Sequence, residues 1–385
     1  MTQTKTKKPV PTPASATDVA AVPSPATKPV KASGPLTMKH LLDLVISKDA
    51  SDLHLTVGYP PIFRIDGQLV PYGMKGLTDA DVKKLIHFTL SAEKKEILEV
   101  NKEVDLSYAY EDKARFRINA YHERGNLAAA YRLIPQKIRS IEELHLPQIC
   151  YEFAKLPQGL VLLTGPTGHG KSTTLAAILN EINMHQSRHI VTIEDPIEYV
   201  YPKGKSLIDQ RELHRDTHSW EIALRSVLRQ DPDVVLLGEM RDYETIAAAI
   251  TVAETGHLVF ATLHTNSAAQ SIDRIIDVFP EHQQSQIRTQ LANIIEGVMA
   301  QRLVPIIGGG RRAAIEVMLA TAAVRNTIRE GKTYQIDNII TTSGDIGMIS
   351  LEKSLVALVR EGNLSLEDAQ AYSLRPEEVV RLVRG

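Results

Sequence analysis

Apolar and polar residues follow two different rhythms along this chain, and the change falls near residue 136. From Thr37, "MKHLLDLVISK" spaces its apolar residues as a helix does, while "SDLHLTV" and "PIFRIDGQLV" alternate apolar with polar as half-buried strands do. A helical run, "TDADVKKLIHFTLSAEKKEILEV", follows. The stretches "VDLSYAY", "ARFRINAYHE" and "LAAAYRLI" are again strand-like. Residues 37–135 are therefore predicted to form a compact α+β domain, and "PQKIRSIEELHLPQ" contains a linker, residues 136–147. Beyond it, short continuous apolar runs such as "GLVLLTG", "HIVTIEDP", "DVVLLGEM" and "HLVFATLHT" alternate with helical segments. Fully apolar strands separated by helices predict a mostly parallel α/β sheet within residues 148–385. The last hundred or so residues are expected to be mainly helical, and no internal repeat is found.

Residues 1–36 carry seven of the 20 prolines and five lysines against one acid, Asp18. Such a segment cannot build a core and is expected to be a disordered tail. The whole chain of 385 residues has a net charge of −2, with 43% hydrophobic residues. It can bury real cores, and it offers no global basic field for nucleic acid or acidic lipid. The single cysteine, Cys150, excludes an internal disulfide and a multi-cysteine zinc site, so no structural metal is expected. No apolar run reaches the ~20 residues that span a bilayer, and no signal-peptide core is found.

The stretch Gly165-Pro166-Thr167-Gly168-His169-Gly170-Lys171-Ser172, followed by Thr173, fits G-x-x-x-x-G-K-[ST] and lies between a predicted strand and a predicted helix. Glycines let successive backbone N–H groups turn inward around phosphate oxygens, and the helix N-terminus adds partial positive charge. Lys171 is expected to reach the β- and γ-phosphates of ATP, with the Ser172 hydroxyl on Mg²⁺. Later strands run into acids: Glu194, Asp195 and Glu198 in "VTIEDPIEY", and Glu239 in "DVVLLGEMRD". Sites in open α/β sheets lie outside the carboxyl ends of the strands, so these acids are expected at the phosphate loop. For Asp195, helix capping before Pro196 competes with this. His257 and His264, seven apart across one strand, do not face each other as metal ligands. Sensing of the γ-phosphate and an ordinary structural role are both open for each.

In order and spacing, "GPTGHGKSTT", "TIEDPIEY", "DQRELHRDT", "ALRSVLRQDPDVVLLGEMRDYETI", "VAETGHLVFATLHT" and "SIDRIIDVFP" resemble the secretion-ATPase superfamily, and within it the type IV pilus retraction ATPases. The resemblance covers residues 38 to about 375. It implies a RecA-like P-loop ATPase domain preceded by a PAS-like α+β domain, with a helical C-terminus. It makes 165–172 the Walker A loop, puts Glu194, Asp195 and Glu198 in an aspartate box, and makes Glu239 the Walker B acid on the Mg²⁺-bound water. His257 and His264 become the histidine box, and Glu198 and Glu239 the candidates for activating water. It implies arginines that reach a nucleotide from the N-terminal domain. Here Arg115 and Arg117 share a strand face, with Arg124 and Arg132 further on; solvated charges are the competing reading. It implies a cytoplasmic homo-hexamer that drives pilus disassembly at the inner face of the membrane, held there through a pilus platform protein.

This chain departs from the family pattern at two positions. His169 stands where serine is common, and "AAVRNTIRE" carries Thr327 where the retraction motif has leucine. Read as a helix, that motif sets Val324 and Ile328 on one face and Arg325 and Arg329 in a stripe beside it, so Arg325, Asn326, Ile328 and Arg329 are expected to serve a partner. Pilus-assembly and type II secretion ATPases usually carry a tetracysteine module that Cys150 alone cannot form. A RecA-like DNA-dependent motor lacks its aromatic and basic platform here, so no nucleic acid is expected.

Overall fold

The computed structural model describes residues 36–384 except Asp66, Asp112, Pro135 and Gln136; the expected tail, apart from Leu36, lies outside the described residues. The N-terminal elements are α1 (Met38–Ser47), β1 (Asp52–Leu55), β2 (Ile62–Ile65), β3 (Gln68–Pro71), α2 (Asp79–His87), α3 (Ala92–Asn101), β4 (Glu103–Tyr110), β5 (Ala114–Glu123) and β6 (Asn126–Ile134). The six strands form one sheet in the order β3-β2-β1-β6-β5-β4. Local chemistry sets the helix starts. Thr37 caps α1 by accepting from the His40 amide, and Thr78 and Asp81 form a reciprocal capping box on α2. Met38, Leu41, Leu42 and Val45 make the buried stripe of α1. By compactness the described chain divides into 36–104 with 120–131, and 105–119 with 132–384.

The second unit includes α4 (Ile149–Lys155), β7 (Gly159–Thr164), α5 (Lys171–His185), β8 (His189–Glu194), β9 (Leu207–Glu212), α6 (Trp220–Val227), β10 (Val234–Leu237), α7 (Tyr243–Glu254), β11 (Leu258–Leu263), α8 (Ala268–Asp277), α9 (Glu281–Ile294), β12 (Ile295–Pro305) and β13 (Arg311–Leu319). Its seven-stranded sheet runs β13-β12-β7-β11-β10-β8-β9. Every neighbouring pair from β12 to β9 is parallel, and only β12 and β13 pair antiparallel. Alternate residues serve two core layers, as the strand period requires. Leu160, Leu162, Val191, Ile193, Val235 and Leu237 belong to the layer with α6 and α7. Val161, Leu163, Ile190, Val234 and Leu236 belong to the layer with α4 and α5. Ile141 and Leu146 of the expected linker are buried in that second layer. So is Cys150, whose thiol burial pushes up to about 12.

The α/β expectation is met, but the stretch expected to be mainly helical holds β12 and β13, of 11 and 9 residues. Helix α9 passes into β12 with no intervening loop, and pairing with β7 and β13 rather than a local signal selects the strand. The C-terminus is helical from there: α10 (Ala322–Arg329), α11 (Ile336–Thr342), α12 (Leu351–Arg360), α13 (Leu366–Tyr372) and α14 (Pro376–Arg384). Within this end Glu352 is fully buried, with one carboxylate oxygen accepting from Ser373 Oγ at 2.9 Å and the other from Arg375 at 2.9 Å. Removing one partner of a buried charge leaves the other uncompensated. Arg375→Ala is therefore expected to destabilise the protein by about 2–3 kcal/mol, read by denaturant unfolding.

Candidate functional site

All the parallel strands of the second sheet end at the same edge, so the residues just past them meet. Past β7 lies the loop Gly165–Gly170, past β8 Asp195, past β10 Gly238 and Glu239, and past β11 His264. The loop's backbone needs glycine at two close approaches. Gly165 has φ +140° and a Cβ there would collide with the Gln301 carbonyl; Gly170 has φ +83°, with the Gln301 amide nitrogen 2.9 Å from where its Cβ would stand. Gly168 also takes a positive φ, in open space.

Lys171, the first residue of α5, is only 8% exposed. Its Nζ donates to the carbonyls of Gly165 at 2.7 Å and Pro166 at 3.1 Å, and lies 3.4 Å from His264 Nδ1. Burial lowers its pKa, while the charges of Glu239 and Glu198 work the other way. A cation satisfied by loop carbonyls and aimed at acids can turn to a phosphate with little rearrangement.

Glu239 is held from both sides. Arg241 donates to one carboxylate oxygen at 2.7 Å, and His264 Nε2 lies 2.8 Å from the other. Burial alone would raise its pKa, but the Arg241 bond and the charges of His264, Arg241 and Lys171 hold it below the usual range. A carboxylate has no proton to give, so His264 donates from Nε2 and turns Nδ1 toward Lys171 and the Thr167 hydroxyl, each at 3.4 Å. His264 thus joins the strand-end acid to the phosphate loop.

Glu194 sits deeper. Burial pushes its carboxyl up to about 7, against hydrogen bonds from Thr192 (2.6 Å), the Glu198 amide (3.2 Å) and Gln210 (3.3 Å). Ser172, Glu194, Asp195, Glu198 and Glu239 line one pocket, together with Tyr199 and Trp220. Thr173 is tied to that wall by its hydroxyl, 2.8 Å from the Tyr199 hydroxyl. Among the described residues no three His, Cys, Asp or Glu groups converge as a self-sufficient metal cage. One or two carboxylates beside a serine hydroxyl and a phosphate seat are the donor set that suits Mg²⁺, which takes few protein ligands.

Not every expected residue comes here. His257 lies at the opposite end of β11 from His264, roughly 20 Å away along six strand residues. Its Nδ1 is 3.1 Å from the Val252 carbonyl and 3.0 Å from the Thr255 hydroxyl, so within the chain it does not face the loop. Arg115 is committed to Ser107 Oγ at 2.6 Å and Glu212 at 3.1 Å. Arg124 is in a turn with φ 51° and is largely exposed. Arg117 and Arg132 share a depression with Pro196, Glu198 and Tyr199, which leaves these two facing the aspartate box.

The helix α10 also departs from expectation. Val324 and Ile328 are buried as its amphipathic pattern requires. Arg325, however, turns back into the fold. It donates to the carbonyls of Ala320 (2.9 Å), Ala292 (2.8 Å) and Asn293 (2.9 Å), and pairs with Glu296 at 2.8 Å. Ala292 and Asn293 are in the last turn of α9, so the guanidinium closes that helix end where cations are favoured. Arg329 and Asn326 remain on the surface, bonded to each other and, through Arg329, to Asn293. Thr327 faces inward, its hydroxyl bonded to the Ala323 carbonyl.

Sequence reasoning missed Arg241 and Gln301. Arg241 stands two residues after Glu239 in "GEMRD", a local signal. Gln301 meets the loop from β12, 131 positions after Gly170, and carries no such signal.

The model for the type II/IV secretion system protein family matches residues 34–308, and the chain belongs to that family. It is 45% identical over 342 residues to the type IV pilus retraction ATPase PilT of Pseudomonas aeruginosa, covering 89% of this chain and 99% of that protein. It is 45% identical over 320 residues to a twitching motility protein of Neisseria gonorrhoeae, covering 83% and 86%. The solved structure of the pilus retraction motor PilT with bound ADP superposes with a TM-score of 0.84 at 44% identity, covering 90% of this chain and 100% of that one.

The two arginines of α10 separate structure from surface. Arg325→Ala is expected to lower stability by about 2 kcal/mol, because charged hydrogen bonds to three carbonyls are lost. Arg329→Ala is expected to change it by less than about 0.5 kcal/mol. Thermal or denaturant unfolding of the two variants checks the difference.

Proposed function

We propose that this chain is an ATPase whose hydrolysis powers type IV pilus retraction, acting as a homo-hexamer on the cytoplasmic face of the membrane. The observation that carries it is the junction of Lys171, His264 and Glu239 at one sheet edge, in a chain alike over nearly its whole length to a pilus retraction motor. No helix among the described residues is long and apolar enough to cross a membrane. In this reading a pilus platform protein is the partner that holds the chain at the membrane.

The residues divide the work. Backbone N–H groups of 165–173, Pro166 excepted, and the amino group of Lys171 hold the phosphates of ATP, and stabilise charge as it develops there. Ser172, Glu194, Asp195 and Glu239 would hold Mg²⁺, which when bound neutralises phosphate charge. Glu239 and Glu198 flank the space where water is oriented, with Glu239 kept ionised by its cationic neighbours. Arg117 and Arg132, beside Glu198, are the arginines suited to meet a nucleotide.

In phosphate-release assays Lys171→Ala is expected to lose turnover by at least ~100-fold, since it removes charge stabilisation in the transition state. Glu239→Gln is expected to keep nucleotide binding and lose turnover by about 100-fold or more. Cells whose only copy is Glu239→Gln are expected to extend pili without retracting them. Retraction at the wild-type rate in such cells would overturn the reading.

A further inference from the structure

The wall of the phosphate loop is supplied by a strand that comes far later in the chain. Pairing of β12 with β7 ends at Ala300 opposite Thr164. Strand β12 continues for five more residues, and Gln301, the first of them, stands where β7 gives way to the loop. Gln301 is 2% exposed. Its side-chain oxygen accepts from the Thr174 hydroxyl at 2.8 Å, and its side-chain nitrogen donates to the His169 carbonyl at 2.8 Å. Its backbone carbonyl fills the space a Cβ would need at Gly165. Two positions along, the Leu303 amide donates to His169 Nδ1 at 3.0 Å. The loop's beginning, its end and the second residue past Ser172 are therefore all gauged against one side chain and its backbone.

These contacts have a direction. A neutral amide is the one side chain of this length that both accepts from a hydroxyl and donates to a carbonyl. The His169 carbonyl, once engaged by Gln301, is turned away from the cradle, so the neighbouring N–H groups can face inward. A carbonyl left free to turn inward would oppose an anion. Resting on the reading of this pocket as a nucleotide site, we propose that Gln301 is a positioning residue for the nucleotide, setting the orientation of the phosphate loop from β12 without touching the phosphates.

The test uses the full chain and two variants of similar side-chain length, with ADP as the probe. Gln301→Met removes both side-chain hydrogen bonds. Gln301→Glu keeps the acceptor for Thr174 but sets a carboxylate against the His169 carbonyl. Melting temperatures without nucleotide show whether each variant is folded. The expected result is ADP affinity weakened about tenfold in Gln301→Met and more in Gln301→Glu, the size of one to two lost net hydrogen bonds. In turnover assays KM for ATP is expected to rise in the same order, with kcat changed less than KM. A drop in melting temperature with unchanged ADP affinity would make Gln301 merely structural and overturn the proposal. Equal affinity and equal stability in all three proteins would overturn it as well. A wild-type chain that does not bind ADP overturns the reading of the pocket itself, and the inference with it.

Discussion

A nearly buried lysine whose amine lies against two loop carbonyls and a histidine nitrogen is the constraint on which the site turns. Burial of Lys171 is offset by the charges of Glu239 and Glu198 and by the carbonyls of Gly165 and Pro166, which reach it because the glycine loop folds tightly back over the start of α5. That tightness has its own requirement. Gly165 and Gly170 lie against Gln301, where any larger residue would push the loop off its seat. The parallel sheet supplies the remainder by delivering the ends of β7, β8, β10 and β11 to one edge.

Electrostatics then separates two carboxylates of one pocket by environment. Glu239, flanked by Arg241 and His264, is held ionised, whereas Glu194, deeper in the wall, is pushed up to about 7 by burial. Glu198 lies between them in chain position and acts on both Lys171 and Glu194 through its charge. The helix α10, by contrast, spends one of its two arginines on closing α9, and leaves Asn326 and Arg329 on the surface.

What could be read from the chain alone was what local spacing determines. The phosphate loop, its flanking strand and helix, and the acids at strand ends all follow from short patterns, and all of them are found together. Where tertiary pairing decides, the reading fell short. Strand β12 follows α9 with no turn between them, and its pairing with β7 on one side and β13 on the other makes it a strand. Two histidines bounding one strand cannot both reach the phosphate loop; the loop follows the carboxyl end, which selects His264 and excludes His257. Amphipathic spacing gave the buried face of α10 correctly. It could not show that the carbonyls of Ala292 and Asn293 stand within reach of Arg325. Gln301 is the extreme case, a residue with no motif around it that touches the loop only because the fold brings β12 there.

The central claim is that the seat now filled by the amine of Lys171 and its two carbonyls is the seat of the nucleotide phosphates. A crystal structure of the full chain grown with ADP and Mg²⁺ tests it most directly. The β-phosphate is expected inside the 165–171 loop, with Lys171 Nζ moved from the Gly165 and Pro166 carbonyls to a phosphate oxygen. Nucleotide bound elsewhere, or bound there with Lys171 still on those carbonyls, would contradict it.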